Sequence, residues 1–488
     1  MTISLVDTTL RDGNQSLWGA TGLNTAQMLQ IAPVMERVGY EAIDFTTSTH
    51  MGVAVRFKQE NPWERISLMR EAMPETPLSF LTTGMRFISW ESASAELMEL
   101  AFRCLVRRGI RRFSVMDPMN AVPAMLAMAD LARKAGGESI VAALTFTLSP
   151  LHDDAHFAAA AAALAGSGRF DRLYLKDPGG LVTPDRAASL FPALRRAIGA
   201  LPLEFHSHST IGLAQFAYPV AVQNGASCLH TAAAAAANGT SQPAGSSVVR
   251  NLRDLGLNVA VDTEALAEVD AYFDALVMAE DLPRGVPQDF DSSYFRHQMP
   301  GGMMGTLKRQ LSETKRLHLL PRVLEEVEQV RADLGYPIMV TPFSQVVGTQ
   351  ALLNVISGTR YETIPDEVIR YALGRFGRPA MALDGALEDR IRSLPRAAAL
   401  EAEPVMGSLD ELRVKFGKGL SDEEFLLRAT MPAEHVDAML AAGPATRGYD
   451  PASRPLMELI RALAARKDLE HIRITRPDFD LSLSCGAS

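Results

Sequence analysis

The chain has 488 residues, too many for one ordinary core, so more than one domain is expected. Apolar residues make up 47%, which is globular, and no apolar run reaches the roughly 18–20 residues needed to span a bilayer. A net charge of −9 argues against a general nucleic-acid surface, and the scattered Cys104, Cys228 and Cys485 predict neither a disulfide framework nor a zinc finger.

The amino terminus enters a strand directly, with no basic segment, apolar core and cleavage site, which predicts a cytoplasmic protein. Strand-like runs then recur at Ile3–Asp7, Glu41–Thr46, Leu78–Thr82, Arg112–Met116, Ile140–Thr147, Arg172–Lys176, Leu203–His206 and Cys228–Ala232. Helical patterns such as Thr25–Val38 and Glu96–Arg107 separate them. Spacings of roughly thirty to forty residues, one βα unit each, predict an α/β fold, a (β/α)8 TIM barrel over residues 1–285. An open doubly wound sheet rarely supplies eight such units, and no Gly-x-Gly-x-x-Gly fingerprint follows the first strand.

Beyond residue 285 the pattern changes. Ser292–Gly305 is rich in Met, Gly and Pro, and helical periodicity resumes at Thr306–Leu334. Thr341-Pro-Phe-Ser-Gln-Val-Val-Gly reads as another turn-rich piece before more helices, so residues 286–442 are expected to form a mainly helical second domain. Residues 391–410, rich in Ala, Pro and Glu, read as a surface linker. The tail, 443–488, is expected to hold one helix, Pro455–Lys467, and then a polar, mobile end.

Rare chemical residues fall at the carboxyl ends of the predicted strands, where barrel enzymes keep their chemistry. Lys176 ends the sixth strand, in Leu173-Tyr-Leu-Lys-Asp-Pro-Gly-Gly. His206 and His208 alternate at the end of the seventh, so both side chains point one way. Asp12 follows the first strand in Asp7-Thr-Thr-Leu-Arg-Asp-Gly-Asn-Gln. Two histidines at i and i+2 with a distant carboxylate suit zinc, manganese or cobalt, the alternative being two unrelated polar histidines beside a loop. A buried lysine with a lowered pKa can add carbon dioxide and become an anionic carbamate ligand; a salt bridge from Lys176 to Asp177 or Asp12 is the other reading. Arg11 is placed to hold an enolate oxygen or, alternatively, to pair with a barrel carboxylate. Gln15 can donate a neutral hydrogen bond to the same substrate, the alternative being a solvated loop amide. Thr240, in Asn238-Gly-Thr-Ser-Gln-Pro, offers a hydroxyl that can pass a proton or simply cap a helix.

These residues together resemble a known family. Asp7-Thr-Thr-Leu-Arg-Asp-Gly-Asn-Gln-Ser is similar to the opening of the carboxyltransferase domains of pyruvate carboxylase, the oxaloacetate decarboxylase alpha subunit and the transcarboxylase 5S subunit. Asn61-Pro-Trp-Glu-Arg, Lys176-Asp-Pro-Gly-Gly-Leu, His206-Ser-His, Gly239-Thr-Ser-Gln-Pro, Pro300-Gly-Gly-Met and Val340-Thr-Pro-Phe-Ser-Gln-Val-Val-Gly follow in the family's order, from residue 3 to about 440. The resemblance implies a barrel plus a helical, funnel-like domain. It implies a divalent metal held by Asp12, carbamylated Lys176, His206 and His208. It also implies a substrate oxygen held by Arg11 and Gln15, and a proton shuttled by Thr240 between biotin and an enolate.

Three positions depart from the family's pattern. Thr83 stands where the family has an arginine for the substrate carboxylate, Trp90 where it has a tyrosine, and Gly52 where it has an aspartate. Arg86, three residues past Thr83, is placed to recover the lost charge. The expected reading is a carboxyltransferase subunit that moves carbon dioxide between carboxybiotin and the carbon beside a carbonyl, with a substrate other than pyruvate. The alternatives are a biotin-independent lyase or decarboxylase on the same barrel, and a non-catalytic assembly subunit. The chain has no Met-Lys-Met biotin attachment site and no ATP-binding carboxylase module. Biotin is therefore expected in trans, on a biotinylated carrier protein served by a separate biotin carboxylase subunit. A homo-oligomer is also expected.

Overall fold

The computed structural model describes residues 2–89, 93–377, 379–403, 407–450, 459–460, 462–463, 471–476 and 479–484. Eight parallel strands close into a barrel: β1 (Thr2–Asp7), β2 (Ala42–Thr47), β3 (Leu78–Leu81), β4 (Ile110–Met116), β5 (Ser139–Thr145), β6 (Arg172–Asp177), β7 (Leu203–Ser207) and β8 (Cys228–Thr231). Each pairs with its successor, β8 returns to β1, and a short β9 (Asn258–Val259) extends the β1 edge. The TIM barrel expected from the spacing is the observed fold, with strand limits within two residues of expectation.

Local chemistry explains why these elements start and stop where they do. The helix Thr25–Val38 opens on a capping box between Asn24 and Gln27 and ends at Gly39 in a left-handed conformation. The helix Ala95–Arg108 opens on the Ser94 hydroxyl, which accepts from the Leu97 amide. The strands are buried on both faces, as a helix-wrapped parallel sheet requires. On β7, Phe205 packs outward against Phe191 and Tyr218, which turns Glu204 and His206 into the barrel.

Residues Met1–Ala445 form one compact unit. Within it, helices from Gly301–Glu313 to Pro395–Glu401 gather around Val327, Phe343, Val347, Tyr371 and Ile391, while the later helix Asp422–Thr430 returns to the barrel, where Trp63 Nε1 donates to the Glu423 carbonyl. Arg331, buried in the helical part, donates to Thr147 Oγ1 and the Leu148 carbonyl beyond β5, and Gln298 Oε1 accepts from the same stretch. The helical part is thereby tied to the carboxyl face of the barrel. No helix among the described residues is long and apolar enough to cross a membrane.

Some expectations beyond the barrel are corrected. The stretch 391–410 expected as a linker is helical over Pro395–Glu401, which buries Ala397 and Leu400 in the helical core, while 404–406 lie outside the described residues. The segment after Thr341 is a turn only through Pro342, since a helix already runs from Phe343 to Ser357. The second compact unit, Thr446–Ser488, contains an antiparallel hairpin, β10 (His471–Arg476) with β11 (Phe479–Ser484), where only a polar end was expected. Most of the expected helix Pro455–Lys467 lies outside the described residues, as does Trp90.

Candidate metal centre

Arg11 and Asp12 sit on one π-helical turn, Thr9–Gly13, directly after β1. Such turns are rare and recur at functional sites. Lys176 comes from β6 and His206 from β7, in register as direct neighbours across the two strands. His208 follows just past the end of β7. The close approach of the two loops depends on Gly180, at φ +68, where a Cβ would lie 2.4 Å from the His208 carbonyl oxygen.

These groups converge on one carboxylate oxygen. Asp12 Oδ2 lies 3.0 Å from His206 Nε2, 3.4 Å from His208 Nε2, 3.0 Å from Lys176 Nζ and 3.1 Å from Arg11 Nη2. All five residues are less than a tenth exposed. Burial alone would raise the Asp12 carboxyl; Arg11, Lys176 and His208 overcome it and hold Asp12 well below the usual carboxylate range. Burial pushes the Lys176 ammonium down, with Asp12 opposing. Burial, reinforced by Lys176, pushes His206 well below the usual imidazole value. Lys176 pairs with Asp12 and not with Asp177, whose oxygens accept from the Leu181 and Val182 amides and the Ser207 hydroxyl.

The donor set fits a transition metal. Asp12, His206 and His208 each present one ligand atom, all within 4.8 Å of one another. His208 Nδ1 lies 2.6 Å from the Thr240 carbonyl oxygen, which can only accept, so Nδ1 carries a proton and Nε2 is the atom turned to Asp12. A Lys176 ammonium has no lone pair to give; its Nζ sits 3.2 Å from His206 Nε2, at the edge of the same cluster.

The remaining expected residues occupy the same face. Arg11 spends Nε and Nη2 on Asp44 and Nη2 also on Asp12, leaving Nη1 for a substrate oxygen. Gln15, half-buried on the helix Asn14–Trp18, has no side-chain partner among the described residues. The Thr240 hydroxyl donates to the Ser16 carbonyl at 2.7 Å, and Ser16 Oγ in turn reaches Asp12 Oδ1 at 3.3 Å. Gly301, first residue of the helix Gly301–Glu313, presses on Thr240: a Cβ there would lie 2.1 Å from Thr240 Cγ2. Thr83 and Arg86 lie in the loop after β3, both half-buried. The Arg86 guanidinium stacks over Phe376 of the helical part at 4.8 Å, and its Nη1 is buried without a hydrogen-bond partner among the described residues. Gly52 packs against Ile88, whose Cγ2 would lie 3.4 Å from a Cβ at Gly52.

Several residues in the cluster had no assigned chemistry in the sequence. Gln242 Nε2 lies 3.2 Å from His206 Nε2 and 3.0 Å from His208 Nε2, while its Oε1 accepts from Thr8. Asp44 anchors Arg11. His50 is buried beside Arg11 with Nε2 unpartnered among the described residues; desolvation, helped by Arg11, holds its pKa down at about 3.

The HMGL-like family matches residues 2–272 and the conserved carboxylase domain matches residues 295–443. A pyruvate carboxylase subunit of Methanocaldococcus jannaschii is 34% identical over 80% of this chain and 68% of its own. The 2-oxoglutarate carboxylase large subunit of Hydrogenobacter thermophilus is 30% identical over 90% of this chain and 68% of its own. Among solved structures, the carboxyl transferase domain of Rhizobium etli pyruvate carboxylase with oxamate and biotin superposes with a TM-score of 0.81 at 27% identity, covering 90% of this chain and 78% of that one. A barrel and a helical part that each match in sequence, and that match together as one structure, show that the chain is an enzyme of the carboxyltransferase family of biotin-dependent carboxylases.

Proposed function

We infer that this chain carries a carboxyl group between carboxybiotin, borne by another polypeptide, and the carbon beside the carbonyl of a 2-oxo acid. The observation that carries this reading is the convergence of Asp12, His206, His208 and Lys176 below a half-buried Thr240 hydroxyl. Asp12, His206 and His208 would hold a divalent metal, zinc or manganese, with cobalt as a chemical equivalent. Lys176 would complete the set as a carbamate: its neutral amine bonds to carbon dioxide and releases one proton, turning a cation into an oxygen anion. A metal bound there supplies Lewis acidity, which lowers the cost of negative charge on a carbonyl oxygen.

The chain's own residues do the rest. Arg11 Nη1 and the Gln15 amide take the substrate oxygen as charge builds on it. Arg11 is held rigid for that task by Asp44 and Asp12. The Thr240 hydroxyl moves the proton between the acceptor carbon's enol form and the biotin ring. The helix beginning at Gly301 covers Thr240 and limits the water that can reach it. A biotin-carrying protein, loaded by a separate biotin carboxylase, would deliver the carboxyl group to this face. Relatives named for pyruvate and for 2-oxoglutarate carboxylation support a 2-oxo acid as acceptor.

The acceptor is expected to differ from pyruvate bound through an arginine after β3. Thr83 offers one neutral hydrogen bond where a guanidinium would give a charge-assisted pair, a loss of about 1–3 kcal/mol, or roughly one to two powers of ten in affinity. Steady-state kinetics over a panel of 2-oxo acids tests this. Pyruvate should be used at roughly one to two powers of ten lower kcat/KM than the best acceptor, with part of the loss recovered in Thr83→Arg. Efficient use of pyruvate by the native chain, abolished in Arg86→Ala, would overturn it and assign the carboxylate to the unpartnered Arg86 nitrogen.

A further inference from the structure

Resting on the reading of His206 as a metal ligand, the geometry points to Glu204 and His230 as positioning residues that set the ring tautomer of His206 and so aim its Nε2 lone pair at the metal. The three side chains form a line inside the barrel, one layer below the metal centre. Glu204 and His206 share the inward face of β7, and His230 projects from β8 alongside. Glu204 Oε2 lies 2.9 Å from His230 Nε2, and His230 Nδ1 lies 3.1 Å from His206 Nδ1. His206 Nε2 then faces Asp12 Oδ2 at 3.0 Å. Glu204, His206 and His230 are at most 3% exposed, and the Tyr174 ring lies tilted at 36° against the His230 ring, centroids 4.9 Å apart.

With a metal on His206 Nε2, each link runs in one direction. Glu204 receives Arg112 Nη2 at 2.6 Å on Oε2 and Arg172 Nε on Oε1, so it is a carboxylate and can only accept. His230 Nε2 must therefore carry the proton. A neutral His206 that gives Nε2 to a metal carries its ring proton on Nδ1, and His230 Nδ1 is the atom facing it. Two nitrogen lone pairs at 3.1 Å would repel, so His206 must donate Nδ1–H to His230. That leaves the His206 Nε2 lone pair for a cation shared with Asp12 Oδ2, 3.0 Å away, with the Gln242 amide 3.2 Å to one side. His208 reaches the same state by a simpler route, through the Thr240 carbonyl. A histidine ligand usually hands its second proton directly to a carboxylate or carbonyl. Here a second histidine is inserted, and the charge is parked one residue further from the metal.

Two measurements on the full chain test this. In zinc-loaded nitrogen-15-histidine protein, the His206 and His208 rings should both carry the proton on Nδ1, and only the His206 signal should shift on replacement of His230. Finding His206 protonated on Nε2 would overturn the proposal without any variant. Zinc affinity by chelator competition is the second. His230→Phe keeps the ring and the Tyr174 contact but removes the acceptor, and should weaken zinc by about 10–100-fold. His230→Asn, whose carbonyl can accept from His206 Nδ1, should stay within a few-fold of native. Native affinity in a folded His230→Phe, or equal losses in both variants, would refute a positioning role. If the native chain itself binds no zinc, the metal reading fails and this proposal falls with it, whereas zinc bound equally by the native chain and His230→Phe refutes the positioning role alone.

Discussion

Lys176→Ala should empty the metal centre and, with it, abolish carboxyl transfer. Removing the lysine leaves Asp12, His206 and His208, three ligand atoms without the oxygen that a Lys176 carbamate would add beside them. The loss of Lewis-acid stabilisation, worth several kcal/mol, should cost about three powers of ten in kcat. The fold should survive, because Asp12 keeps Arg11 as a partner. Elemental analysis and circular dichroism together separate metal loss from unfolding. Added bicarbonate with a short carboxylic acid should restore part of the metal content, by placing an oxygen where the carbamate stood. A Lys176→Ala chain that retains stoichiometric metal and turnover would reduce Lys176 to the ion pair with Asp12.

Thr240→Ala should produce a different phenotype: full metal content and native stability, with transfer lowered by about 10²–10⁴-fold. The hydroxyl is no ligand. The group that orders His208 is the Thr240 backbone carbonyl, which alanine keeps. The helix beginning at Gly301 meets Thr240 through Cγ2, so truncation relieves that contact and introduces no clash. Thr240→Ser keeps the hydroxyl and should recover much of the rate. Substantial transfer by the alanine variant would remove Thr240 from the chemistry and leave it a spacer between His208 and the Ser16 carbonyl.

The barrel was legible because each strand is a short apolar run at a regular interval, and because no competing fold explains that spacing. The metal ligands were legible for a related reason: Lys176, His206 and His208 are costly residues at strand ends, where only function retains them. Gln242 stood inside a recognised stretch, yet an amide in an irregular loop carries no periodic signal that it will meet both histidines. Glu204, His230 and Arg112 were invisible for a different reason. Each lies in its own strand, Arg112 and Glu204 are 92 positions apart, and only closure of the barrel brings them together. Residues 391–410 were misread because composition was weighed over spacing: Ala397 and Leu400 stand three apart on one helical face and are buried. Phe343–Ser357 was misread at its start because Thr341-Pro342 looks like the centre of a turn when it is the entry to a helix.

Exchange of the hydrogens beside the carbonyl of a 2-oxo acid into heavy water, followed by proton NMR, tests the central claim without a carrier protein or a carboxylase partner. The metal-replete chain should exchange them, faster with free biotin present to take the proton from Thr240. Exchange should stop after chelation, return with zinc or manganese, and be lost in Thr240→Ala at unchanged metal content. Exchange that persists in the metal-stripped chain, or no exchange of any 2-oxo acid by the metal-loaded chain with biotin, would contradict a metal-assisted carboxyltransferase.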